Sequence, residues 1–144
     1  MPDRFATVVT CIDGRIHGPL GQWVRDRLDV DHLDLITAPG ADRVLATADP
    51  AELTRLLDAV GVSRTAHGSG TLVLAGHADC AGNPVSEAEH HDQLRRAAIR
   101  LAARLPELRI LAVHTGSCGT GCWQPHLIDD RAPAVNATDL EACD

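Results

Sequence analysis

An α/β domain built around a mostly parallel sheet is the fold class that this sequence predicts, and three observations predict it. Apolar runs of strand length occur at Phe5 to Val9, Leu33 to Ile36, Thr71 to Ala75 and Arg109 to Val113. Segments with apolar residues at helical spacing lie between them. A chain of 144 residues holds one good core and is short for two, so residues 1–144 are read as a single domain with one site.

The first run, FATVV, has the unbroken apolar character of a strand buried on two faces. A helix is expected from Pro19, burying Leu20, Trp23, Val24 and Leu28. After the second strand, ADRVLATA adds a helical turn or two. The next helix is punctuated at each end. Asp49 stands as N-cap, Pro50 at the first helical position and Glu52 three residues past the cap, ahead of the stripe Leu53, Leu56, Leu57 and Val60, with Gly61 as its stop. Thr65 to Gly70 reads as loose before the third strand.

Ser86 and Glu89 form a second capping box for the stripe Leu94, Ala97, Ala98, Leu101, Ala102 and Leu105, which ends before Pro106. That is a helix of about five turns. Everything after the fourth strand, from Thr115 on, reads as loose, and the tail 132–144 is expected to be loose or to dock on a partner subunit.

About four strands in the order 2-1-3-4 follow if the first connection runs to one side of strand one and the third strand returns on the other. Strands one and three then meet where the strand order reverses, and open α/β sheets carry their ligands beyond the carboxyl ends of such strands. Cys11 ends strand one; His77 and Cys80 follow strand three.

Composition narrows the function. Thirteen basic against 20 acidic residues give a net charge of −7, and two Trp, one Phe and no Tyr offer little for stacking on bases. Nucleic acid is therefore excluded as a partner. No apolar run reaches the ~18 to 20 residues that span a bilayer, and MPDRFATVV lacks a secretory pattern, so a cytoplasmic protein without a membrane partner is expected. Five cysteines, an odd number, read as metal ligands or catalytic thiols rather than a disulfide framework.

TVVTCIDGRIHG places Cys11, Asp13 and Arg15 on alternate positions at a strand end, where each polar group needs a partner. GHADC supplies His77 and Cys80 at another. Taken singly, Cys11 reads as a small buried hydrophobe and Asp13 with Arg15 as an ion pair holding a turn. Taken together, two thiolates and one imidazole are a zinc ligand set that leaves a fourth position for water or a carboxylate.

Cys118 and Cys122, in GSCGTGC, read as a redox pair, a disulfide, a structural metal half-site with His114 and His126, or plain thiols in a flexible loop, the last being favoured. Cys143 reads as a free tail thiol. His90, His91, His17 and His32 read as solvated, and of these His17 is best placed to relay protons to a site at Cys11.

CIDGR and GHADC resemble the Cys-x-Asp-x-Arg and His-x-x-Cys motifs of the β-class carbonic anhydrases, in outline from Phe5 to Thr115, and GHADCAGNPVSEAEH is similar to a compact bacterial branch called carbonic-anhydrase-like. The resemblance implies Zn2+ bound by Cys11, His77 and Cys80, with Asp13 and Arg15 as the paired catalytic residues. It implies hydration of carbon dioxide to bicarbonate by zinc-bound hydroxide, and a homodimer or higher homo-oligomer.

Departures bear on the substrate. TAPGADR stands where the family has Arg-x-Ala-Gly-Asn, strand one is expected almost at Met1 where the family has a helical arm before it, and the pocket wall is expected to be aliphatic or to come from Trp23 or a partner chain. Similar proteins act on carbonyl sulfide or carbon disulfide, which the same hydroxide attacks. The rival readings are a non-catalytic zinc protein with Asp13 as fourth ligand and a thiol redox protein using Cys118 and Cys122.

Overall fold

The computed structural model describes residues 2–47 and 49–135. Nine elements follow in order: β1 (Phe5–Thr10), α1 (His17–Leu28), β2 (His32–Thr37), α2 (Ala41–Thr47), α3 (Pro50–His67), β3 (Thr71–His77), α4 (Glu87–Arg104), β4 (Arg109–Gly119) and β5 (Cys122–Arg131). They form one five-stranded sheet in the order β2-β1-β3-β4-β5. The first four strands are parallel, in the expected order; β5 is an additional, antiparallel strand.

The sheet separates two apolar layers. Alternate residues of each central strand face opposite sides. Leu72, Leu74, Ile110 and Ala112 pack with Leu45, Leu53, Leu56, Leu94 and Leu101 from α2, α3 and α4. On the other face Val73, Ala75, Leu111 and Val113 pack with Ile16 and with Leu20 and Val24 of α1, where Trp23 and Trp123 are partly buried. Among the described residues no helix is long and apolar enough to cross a membrane.

Three expectations need correction. α3 does not stop at Gly61 but runs to His67, with Gly68 as its left-handed cap (φ 65°). A glycine inside a helix costs ~1 kcal/mol. Here the buried residues on either side of it outweigh that cost: Val60 is in the core, and Ser63 Oγ donates to Asp34 at 2.7 Å and bonds Thr7 at 2.6 Å.

Secondly, the segment after Thr115 is ordered. β4 continues to Gly119, and β5 returns along it as a hairpin whose turn is closed by a Cys118–Cys122 disulfide. The two cysteines are thus paired rather than loose thiols. Pro125 fits within β5 because an edge strand leaves one row of backbone groups unpaired. Thirdly, the tail's start docks on its own chain, for the N–H groups of Ala134 and Val135 donate to the Pro106 carbonyl at 2.8 and 3.2 Å. Residues 136–144, with Cys143, lie outside the described residues.

The loops that follow β2 and β3 cross backbone to backbone. Gly40 has φ 60°, and a Cβ on it would lie 2.5 Å from the Gly82 carbonyl oxygen; a Cβ on Gly82 would lie 2.6 Å from Gly40 N. This crossing fixes the position of the chain just past Cys80.

Candidate metal centre

β1 and β3 are neighbours, so the residues that leave their carboxyl ends converge. Cys11, His77 and Cys80 are all buried, and their ligand atoms lie within 4.8 Å of one another. The sulfurs of Cys11 and Cys80 are 3.9 Å apart. Two thiolates on one tetrahedral zinc, each at ~2.3 Å, stand ~3.8 Å apart.

The imidazole of His77 is set for the same role. Its Nδ1 lies 2.7 Å from the Ala78 carbonyl, to which it donates, and its Nε2 is buried with no hydrogen-bond partner. A backbone acceptor at one ring nitrogen holds the lone pair of the other towards a metal. Burial, and then the neighbouring Cys11, push the Cys80 thiol up to about 11. Such a thiol stays protonated until a cation replaces the proton. An orphaned buried nitrogen and two sulfurs at zinc spacing fit the ion that the motifs imply.

Asp13 is beside this group and turned from it. Its Oδ1 accepts from the Arg15 backbone N–H at 2.9 Å and from Nε at 3.1 Å, and its Oδ2 from Nη2 at 2.7 Å. Hydrogen bonding to Arg15 holds the carboxyl well below its usual range, at about 2. Asp13 Oδ2 is 4.0 Å from His77 Nε2. The expected Asp-Arg pair is therefore formed, next to the three converging donors and outside them.

Arg15 has further partners that the motifs did not name. Its Nη1 donates to the Asp79 carboxylate at 3.2 Å and its Nη2 to the Asp79 carbonyl at 3.1 Å. Its Cζ lies 4.8 Å from the ring centre of Trp123 on β5, within cation–π range. Trp123 also meets His77 edge-on, 6.4 Å between ring centres. The aromatic wall is accordingly Trp123 and not Trp23, whose ring lies under Arg27 at 5.2 Å.

His17 does not stand free as a proton relay: its Nε2 is 2.8 Å from the Cys11 carbonyl, which fixes the turn from β1 into α1. His32 is half-exposed beside Asp3, in keeping with a solvated side chain. His90 is the clear departure. It is 1% exposed, with Nδ1 2.5 Å from Asp42 Oδ2. Asp42 also accepts from Asn83 Nδ2 at 2.9 Å, and Asn83 donates to Gln93 Oε1 at 2.6 Å. The network lies directly behind GHADC, because a Cβ on Gly76 would sit 2.4 Å from Asp42 Oδ2.

His91 is only part-exposed and meets His114 at 4.8 Å between ring centres. Burial, followed by His91 and His90, pushes His114 down to about 4, so it is a neutral imidazole near pH 7.

A family model described as "Putative carbonic anhydrase" matches residues 1–129. Solved structures share the fold. A carbonic anhydrase from Glaciozyma antarctica is 15% identical, with a TM-score of 0.55 over 89% of this chain and 83% of that one. Another match, to the structures of two tetrameric β-carbonic anhydrases from the filamentous ascomycete Sordaria macrospora, is 13% identical, with a TM-score of 0.50 over 92% and 84%. No curated protein matches this chain in sequence.

Proposed function

The chain belongs to that carbonic-anhydrase family, and from this premise we propose that it hydrates carbon dioxide to bicarbonate with a zinc ion held by Cys11, His77 and Cys80. The observation that carries the reading is the convergence of those three donors while Asp13 is occupied by Arg15. That arrangement leaves a fourth tetrahedral position open, as a catalytic zinc site requires.

Zinc held there would supply one thing, a coordinated water made acidic enough to ionise near neutral pH. The protein's own groups supply the rest. Asp13, kept ionised by Arg15, would accept a hydrogen bond from an O–H at that open position and so orient it. Arg15 keeps Asp13 off the metal, and Asp79 and Trp123 keep Arg15 in place. The non-catalytic alternative requires Asp13 to give up its bonds to Arg15 and become the fourth ligand.

Assembly into a homo-oligomer belongs to this reading. It is supported by the tetramers named for the Sordaria proteins and by β2, an edge strand with Leu35 49% exposed.

Zinc content and stopped-flow hydration, measured together, test the proposal. Wild-type protein is expected to hydrate carbon dioxide and Cys11→Ala to lose zinc from this centre and activity together. Zinc binding with no hydration, or with hydrolysis of carbonyl sulfide or carbon disulfide instead, would overturn the substrate.

A further inference from the structure

His114 presents an unresolved account of polar groups. It lies on β4 at 1% exposure, and neither of its ring nitrogens has a hydrogen-bond partner. Each buried unpaired polar group costs ~1 to 3 kcal/mol. Facing it is His91, whose Nε2 is also buried without a hydrogen bond and stands 3.6 Å from Glu87 Oε1. Glu87 and His91 are four residues apart at the start of α4 and so share one helix face.

We propose that Glu87, His91 and His114 form a second divalent-metal site that takes zinc and ties the first turn of α4 to β4. Their ligand atoms lie within 4.8 Å of one another, the same closeness that Cys11, His77 and Cys80 show. Two imidazoles and a carboxylate are an established zinc donor set. A cavity of about 200 Å³, lined by Glu87, His114 and His126, gives the ion a route in and room for a further ligand. Cys118 lines the same cavity but is disulfide-bonded to Cys122, so the site is built without thiolate. His90 lies beside His114 and its Nε2 is likewise buried without a hydrogen bond, but it is not among the residues whose ligand atoms converge within that distance.

The site is separable from the first centre by experiment. The full-length chain is saturated with zinc chloride, freed of excess metal by gel filtration and assayed by mass spectrometry of the metal. Two zinc ions per chain are expected, one in Cys11→Ala, one in His91→Ala and none in the double variant. One zinc in the wild type, or two in His91→Ala, would overturn the proposal.

Glu87→Gln provides a second arm, because Glu87 is 70% exposed and the change leaves the buried core untouched. It is expected to weaken the second zinc at least tenfold. Cobalt(II) supplies a third. Added to Cys11→Ala it should give d–d bands without a thiolate charge-transfer band, and those bands should vanish when His91 is also Ala. Cobalt bands that survive the His91 change would place the ion elsewhere.

Discussion

The Oδ2 atom of Asp13 lies 2.7 Å from Arg15 Nη2 and 4.0 Å from His77 Nε2. The carboxylate is thus held by a guanidinium at the border of a metal site. Removing Arg15 should release it towards the ion. Arg15→Ala is expected to keep its zinc and lose carbon dioxide hydration by at least tenfold. Arg15→Lys should recover only part of the loss, since an ammonium cannot reproduce the paired contacts. Stopped-flow rates equal to wild type in Arg15→Ala would remove the pair from the mechanism.

Trp123 supports Arg15 from the far end of the chain. Its contact with the guanidinium is worth ~0.5 to 1 kcal/mol, so Trp123→Leu should slow hydration a few-fold with zinc content intact. Trp123→Phe, which retains a ring face, should lie nearer wild type. A Leu variant that matches wild type in rate would show that Asp13 and Asp79 alone hold Arg15.

Gly76 and Asp42 are coupled through space. A methyl at Gly76 would enter the Asp42 carboxylate, whose removal in turn would leave His90 Nδ1 without its acceptor and Asn83 with Gln93 alone. Each of Gly76→Ala and Asp42→Ala is expected to cost ~3 kcal/mol or more in urea denaturation. Because the second change makes room for the first, the double variant should lose less than the sum. Strict additivity would mean that the two sites do not share their strain.

Acid should weaken the fold through its paired carboxylates. Asp13 is held at about 2 by Arg15, and Asp130 is lowered by Arg109. Against an ordinary 3.8, such groups add stability above that pH, and it is lost as pH falls towards 2. Because the pairs are partly exposed, the effect is small. Melting curves from pH 5 to pH 2 should decline less steeply in Arg15→Ala than in wild type, and identical slopes would count against the linkage.

Much of this was legible before the structure, for physical reasons that differ by element. β1, β3 and the first part of β4 are buried on two faces and therefore read as apolar runs, and the residues at the ends of β1 and β3 are the motif residues. β5 hid because it is an edge strand of alternating exposure with a proline in it. Without β5, Trp123 has no place in the sequence reading, which leaves the pocket wall to aliphatic residues, Trp23 or a partner chain. His90 carries a signal of burial in the sequence: it stands four residues before Leu94, on the buried stripe that continues through Ala97 and Leu101. Its partner Asp42 lies 48 residues away, and no local pattern pairs residues at that distance.

The close crossing of Gly40 and Gly82 has a meaning for descent as well as for shape. Neither position has room for a side chain, since each would strike the other's backbone. The loops after β2 and β3 therefore behave as one heritable unit. A loop transplanted from a relative carrying any larger residue at either place would have to arrive with its counterpart, or the chain just past Cys80 could not keep its course.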